Sequence, residues 1–390
     1  MVKRLLLITF LESFATVCME RGIYFFTHDE LMFSDAANLW LALVFGAAYV
    51  AGALSSHPVS KVVRERRLLL ATLVGQIVMH AILACRPTAV VVFVGLAILA
   101  YLNGAKWPII ESYISAGRSP LGQARVIGHF NVAWALSIPP ALVVVGPLKT
   151  AWLPGLFLTP AAVNVACLLL CLPLAGSPVH LAAADVQRPR RRESVRLAAL
   201  MISNRWLMLA SYSLLFLMAA LLPTILQERG AGRQISPALS GVIDVCRLAV
   251  FLIMGAWVGW HGRVWPVVAS IVIMPAGLFM VMFGQRLGVV LAGEALFGLS
   301  AGAIYFGSLY YSMVVKNASV AGGGAHEGLI GLGFAVGPAV GLAAVAVQPY
   351  LYNSPVLATL ACVGPVLTLC TLAACMPLVR SRRLLGRAMD

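Results

Sequence analysis

The sequence predicts an all-α integral membrane protein with twelve transmembrane helices in two six-helix, pseudo-symmetric halves, and three observations predict it. Apolar residues fill 61% of the 390 positions and charged residues only 11%, against about 25% in a soluble domain, and mean hydropathy is +0.93. Apolar stretches of about 20 residues, enough to cross a hydrocarbon layer of about 30 Å, recur from one end of the chain to the other. Lys and Arg gather in alternate breaks between those stretches. Open sheets are excluded, because lipid leaves their edge amides without partners. The longest polar stretch, from Gly176 to Arg196, is shorter than the roughly 50 residues of a folded soluble domain, so no separate enzyme module is expected.

The spans fall at 5–27, 35–56, 67–85, 88–113, 126–147, 152–175, 206–226, 237–260, 264–284, 287–314, 326–347 and 354–378. Span 1 follows Lys3 and Arg4 as a signal peptide would, but Glu12 interrupts its apolar region and no small-residue cleavage site follows, so it is read as retained. Of the 28 Lys and Arg, Arg86, Lys149, Arg229, Arg233 and Arg286 fall in outer loops, and Arg21, Lys106 and Arg247 fall inside spans. The remainder lie on the side of the two termini, which short-loop charge bias assigns to the cytoplasm. The net charge of +14 thus follows from topology, and no nucleic-acid partner is expected.

The eight cysteines lie within or at the ends of spans; Cys167 and Cys171 share a face without a second ligand pair, so neither disulfides nor a metal site is expected. Asn317-Ala318-Ser319 spells a glycosylation acceptor but falls on the cytoplasmic side. The chain contains no Gly-x-x-x-x-Gly-Lys-Ser/Thr loop to cradle phosphates, and no cofactor is expected.

The Arg-rich segment from Val186 to Arg196 stands near the chain's middle, and a repeat flanks it. Gly104-Ala105-Lys106-Trp107 in span 4 aligns with Gly302-Ala303-Ile304-Tyr305 in span 10 at an offset of 198, which also places Pro140 on Pro338 and Tyr113 on Tyr311. Near span 2, Phe33-Ser34 matches Ile235-Ser236 at an offset of 202. The predicted organisation is an N-terminal bundle over 1–178, a basic linker over 179–204, a C-terminal bundle over 205–379 and a tail over 380–390.

In this plan the chain resembles the major facilitator superfamily. Its signature between helices 2 and 3 is similar to Gly52-Ala53-Leu54-Ser55-Ser56-His57-Pro58-Val59-Ser60-Lys61, followed by Arg64, Arg66 and Arg67, with Ser56 where the family has an Asp. Gly337-Pro338-Ala339-Val340-Gly341 looks like that family's Gly-Pro motif, placed in span 11 where span 5 has Pro139-Pro140. The resemblance implies that spans 1, 4, 7 and 10 line a central cavity and that 2, 5, 8 and 11 form the interface between halves. Gly52, Lys61, Arg64, Arg67, Gly337, Pro338 and Gly341 are the gate candidates. The glycine faces, Gly255 with Gly259 and Gly328, Gly331, Gly333, Gly337 and Gly341, serve close packing or compliance between rocking bundles.

An ionisable group in the bilayer core costs at least about 2.5 kcal/mol and so faces a partner or a watery cavity. At about 1.5 Å per residue, Glu12 and Lys106 fall in the cytoplasmic third, Glu20, Arg21 and Glu294 in the outer third, and Asp244 and Arg247 nearest the midplane. One reading gives Arg247 and Lys106 an anionic or polar substrate and gives Glu12, Glu294 or Asp244 a coupling proton. The other makes Glu12 with Lys106, Asp244 with Arg247 and Glu20 with Arg21 packing pairs, and is preferred for Glu20 and Arg21. Glu111 is expected to be a solvated interface charge or a gate contact to Arg118 or Arg125. His80 and His129 could titrate near neutral pH but read first as packing residues, and His326-Glu327 opens span 11 at the cytoplasmic mouth, where an acidic cap is preferred to a gate contact. Trp107, Tyr305 and Tyr310 stack on a substrate or pack against lipid.

The expected function is secondary active transport of a small solute by alternating access, coupled to protons, in a bacterial inner membrane with both termini cytoplasmic. A monomer in the lipid bilayer is expected, and not an enzyme. A lipid-modifying membrane enzyme would need acid, base or metal ligands clustered at one interface. A non-transporting receptor would carry a signalling domain, and a channel a filter sequence.

Overall fold

A computed structural model describes residues 2–115, 120–178, 191–257, 259–316 and 320–386. Among them the chain forms α1 (Val2–Glu20), α2 (Ile23–Asp29), α3 (Asp35–Val63), α4 (Glu65–Cys85), α5 (Ala89–Ser115), α6 (Pro120–Ala151) and α7 (Leu153–Cys171). There follow α8 (Arg191–Glu228), α9 (Ser236–Leu239), α10 (Val242–Ala256), α11 (Trp265–Phe283), α12 (Leu287–Lys316), α13 (Val320–Val347) and α14 (Pro355–Gly386). Eleven helical stretches among the described residues are long and apolar enough to cross a membrane. Span 1, which carries Glu12, Glu20 and Arg21, makes the twelfth crossing as α1 and α2 together.

Two crossings are interrupted where charge enters the interior. In span 1 the amides of Arg21 and Gly22 both donate to the Val17 carbonyl, at 3.0 and 3.1 Å, so the regular ladder is broken before α2 begins. In span 8 the amides of Asp244 and Val245 both donate to the Gly241 carbonyl. The Ser240 carbonyl is thereby released from its helical role and receives a side chain instead.

The contact pattern of the first six crossings recurs in the last six. Thus α3 packs on α5 as α10 packs on α12, and α1 packs on α6 as α8 packs on α13. The halves meet through α3 against α13 and α6 against α10. Such close approach requires glycine. A Cβ on Gly337 of α13 would stand 1.8 Å from the Ser213 carbonyl oxygen of α8. One on Gly52 of α3 would stand 2.0 Å from the Tyr101 carbonyl oxygen of α5.

Several boundaries differ from the sequence reading. Residues 191–204, read as linker, are helical and continuous with span 7, because Leu197, Leu200, Met201 and Ser203 are buried there. Glu327 is not a cap: α13 begins seven residues earlier and carries the triglycine at 322–324 within the helix. Arg118, Arg125, Asn317 and the Arg-rich residues before 191 lie outside the described residues or side chains.

Candidate functional site

A cavity of about 100 Å³ lies between the halves. From the first half, α1 contributes Ser13, Thr16 and Glu20, the break after it Arg21, α3 Tyr49, α5 Trp107 and Glu111, and α6 Phe130 and Trp134. From the second half, α8 contributes Tyr212, α10 Arg247, α12 Tyr305, and α13 Glu327 and Phe334. Charge lies at both levels of this space, and rings form its walls.

Arg21 and Arg247 converge on one carboxylate. Arg21 Nη1 donates to Asp244 Oδ2 at 2.8 Å and its Nη2 to the freed Ser240 carbonyl at 2.9 Å. Arg247 Nη2 donates to Asp244 Oδ1 at 2.6 Å. Asp244 is fully buried, and both guanidiniums are 4% exposed. The Arg247 guanidinium also lies 4.8 Å from the Trp134 ring centroid, a cation–π distance. Trp134 meets Tyr305 at 5.1 Å and Phe251 at 5.6 Å, both edge-on. Tyr49 meets Phe334 at 5.0 Å, joining α3 to α13. A second polar centre stands at Glu327, whose Oε2 accepts from the Tyr49 hydroxyl at 2.5 Å. Glu111 of α5 lines the same space.

Three corrections to the expected site follow. Arg21 pairs with Asp244 rather than Glu20, because the break after α1 stands against the break before α10; Glu20 and Arg21 both line the cavity. Lys106 and Glu12 do pair, but both are fully buried inside the first half and neither lines the cavity. Lys106 Nζ continues to Gln76 Oε1 at 3.2 Å, and Gln76 and Thr16 both donate to Asn103 Oδ1. Tyr310 leaves the cavity for the α10–α11 joint, stacking on His261 with centroids 4.5 Å apart. Burial there lowers the His261 pKa from its ordinary 6.5.

The remaining candidates are placed as follows. Asp244 supports both guanidiniums without lining the cavity itself. Glu294 is fully buried in α12, and neither carboxyl oxygen has a hydrogen-bond partner among the described residues. Trp107 and Tyr305 line the cavity, as the aromatic reading proposed. Lys61, Arg64 and Arg67 are exposed around the α3–α4 joint, where Arg64 takes φ +71°. Gly341 of α13 packs against Leu217 and Leu39, and Pro338 lies inside α13 beside Gly337.

At the end of the bundle opposite the termini, Asp29 joins the halves. It accepts from Lys149 Nζ of α6, and its Oδ1 accepts from Gln227 Nε2 of α8 at 2.8 Å. Nearby, Thr224 donates to Asp35 Oδ1 at 2.5 Å. The sequence reading missed Tyr49, Trp134 and Tyr212, and treated Glu327 as a cap. In Trp134 and Tyr212 the available signal was an aromatic side chain at a cavity-lining crossing or at the interface beside one.

No family model and no curated protein matches the sequence. Solved structures do match the fold over nearly its whole length. The human organic anion transporter MFSD10 (TETRAN) shares 15% identity, with 96% of this chain and 98% of that chain covered at a TM-score of 0.64. The nucleoside transporter NupG shares 14%, covering 97% and 99%, at 0.68. The peptide transporter POT shares 13%, covering 98% and 94%, at 0.71. With its twelve crossings, its repeated halves and these likenesses, the chain has the major facilitator superfamily fold.

Proposed function

We propose that the protein is a secondary active transporter that moves a small polar solute across a membrane by alternating access, using protons as the driving ion. The observation that carries this reading is the central cavity, which draws on both halves and holds two guanidiniums, carboxyl groups and aromatic walls in one space. A cavity at a repeat interface is where rocking of two bundles changes access. The charged groups face inward, where an ionisable side chain is tolerated in lipid. The similar folds are those of organic anion, nucleoside and peptide transporters, which agrees with a small-molecule cargo. The bundles are taken as 1–178 and 191–379, the membrane as a bacterial inner membrane, the termini as cytoplasmic and the protein as a monomer.

Arg247 is the assigned substrate contact, because its guanidinium lines the cavity while Trp134 and Asp244 fix its orientation. The test is thermal unfolding of the purified protein against a panel of anions, zwitterions, nucleosides, sugars and organic cations, with Arg247→Ala alongside. A ligand that binds only the folded state raises the melting temperature with concentration. Stabilisation by one chemical class, lost in Arg247→Ala, is the expected result. Stabilisation retained in that variant returns Arg247 to a packing role.

A further inference from the structure

We propose that Arg205, Ser308, Ser312 and His326 form an oxyanion site in the second half, on the termini side of the central cavity, that takes a carboxylate or phosphate group. The place of this site on a solute's route rests on the transporter reading above. Arg205 Nε and Nη2, Ser308 Oγ, Ser312 Oγ and both ring nitrogens of His326 are buried, and none has a hydrogen-bond partner among the described residues. Folded proteins leave few such atoms. These six belong to α8, α12 and α13, and α8 packs against both of the others.

Helix register brings them to one level. A Cβ on Gly333 of α13 would stand 2.5 Å from Tyr212 Cβ of α8, and Gly337 and Gly341 follow on Ser213 and Leu217, so the two helices run parallel. Arg205 lies seven residues before Tyr212, and His326 seven before Gly333. Seven residues make about two helical turns, so Arg205 and His326 keep the faces of that contact and meet nearer the termini end. On α12, a Cβ at Gly307 would stand 2.6 Å from Asn204 Oδ1, which sets Ser308 level with Arg205. Tyr305, Ser308 and Ser312 follow at i, i+3 and i+7 on one face of α12. The Tyr305 ring lies 5.1 Å from the His326 ring and 6.2 Å from the Tyr212 ring. Tyr212 and Tyr305 line the cavity and so stand between it and the site.

The chemistry of these atoms selects the ligand. A guanidinium only donates, and serine hydroxyls and one nitrogen of a neutral imidazole donate as well. A serine inside a helix can return its hydroxyl to a carbonyl of the preceding turn, as Ser213 does to Leu209 at 2.8 Å and Ser300 to Phe297 at 2.9 Å. Ser308 and Ser312 do not. Nε and Nη2 form one edge of the Arg205 fork, and two parallel donors fit the two oxygens of a carboxylate or phosphate. Arg21 and Arg247 receive such an acceptor from Asp244, whereas this edge of Arg205 receives none among the described residues. A bound oxyanion supplies both the acceptors and the charge. It comes from the transported solute, passing from Arg247 toward the termini end, or from a free inorganic anion.

The test uses the purified full chain, titrated with inorganic phosphate, with acetate and, at matched ionic strength, with chloride, and reads the melting temperature. Phosphate and acetate should raise it with concentration, and chloride should not. Arg205→Gln should abolish the rise yet, without anion, melt no lower than the parent, since that edge of the fork has no partner to lose. Ser308→Ala with Ser312→Ala keeps the charge and should weaken binding about tenfold or more, the loss of a hydrogen bond to a charged group. Arg247→Ala separates the two sources. Inorganic phosphate that still stabilises this variant is a free ion held at Arg205. A carboxylate- or phosphate-bearing solute that stabilises only with both arginines present brings its own group to the site. No rise above that with chloride, or an equal rise in the parent, in Arg205→Gln and in the serine variant, overturns the site. Should a solute stabilise the protein through Arg247 with no anion effect at Arg205, the site fails and the transporter reading stands. Should phosphate bind through Arg205 while proteoliposomes move no solute, the site stands and the transporter reading fails.

Discussion

Arg21 and Asp244, 223 residues apart in the chain, form a buried ion pair at 2.8 Å across the two halves. Each stands at the break in its own membrane crossing. The break in span 8 does two things for the pair: it exposes the Ser240 carbonyl to Arg21 Nη2, and it turns Asp244 so that one oxygen serves Arg21 and the other Arg247. Two cations and one anion are therefore held in a single network, and the excess positive charge faces the cavity.

Asp244→Asn leaves two buried guanidiniums without their anion. Removing one member of a buried pair typically costs about 3–5 kcal/mol, and that loss is expected in reversible unfolding of the purified protein. The double variant Arg21→Gln with Asp244→Asn should be less damaged than the sum of the single variants, because one lost partner is already counted in the other. Additive losses would show that the two side chains do not interact.

Lys106 and Glu12 make the contrasting case, a pair sealed inside the first half. Lys106→Met strands the Glu12 carboxylate and should lower stability by about 3 kcal/mol or more, whereas Glu12→Gln with Lys106→Met should recover most of it. Since neither lines the cavity, the double variant should keep the ligand-induced rise in melting temperature. Its loss would bring the pair into substrate binding.

Much of the architecture was readable because lipid imposes it. Spans of fixed length, the alternation of Lys and Arg, and the costly charges inside helices are local properties of a sequence. Depth along a helix placed Glu12 and Lys106 in one layer and so found their pair. It could not find Arg21 with Asp244, because nothing local marks the breaks at Gly22 and Gly241 or says which crossing will face which. Glu327 was misread for the same reason: three glycines in a row suggest a joint, but the helix runs through them. Tyr310 shared the aromatic cluster of Tyr305 in sequence, yet a helix places the two on different faces and levels.

Gly337 tests the close approach of α13 to α8. Alanine usually stabilises a helix interior relative to glycine by about 0.5–1 kcal/mol, but here its Cβ would collide with the Ser213 carbonyl oxygen, a backbone atom that cannot step aside. Gly337→Ala should therefore lower the melting temperature and Gly337→Val should prevent recovery of folded protein. Gly364 of α14 serves as the control, because a Cβ added there would meet nothing within 4 Å; Gly364→Ala should leave the melting temperature unchanged or raise it. Equal behaviour of the two alanine variants would remove the packing argument.

Asp29 is the polar tie at the end away from the termini, where it holds Lys149 of its own half and Gln227 of the other. Asp29→Asn removes the charge that draws Lys149 inward and leaves one carbonyl oxygen where Lys149 and Gln227 each had an acceptor, so the tie across the halves weakens. The population open at that end should rise. A single cysteine at Ile138, which lines the cavity, reports it in a background with the eight native cysteines replaced. A polar, membrane-impermeant thiol reagent added from the side opposite the termini should label Ile138→Cys several-fold faster when Asp29→Asn is present. From the termini side, labelling should be unchanged or slower, because a population that opens at one end is withdrawn from the other. Equal rates from the far side, with and without Asp29→Asn, would mean that the Asp29 cluster does not restrain opening.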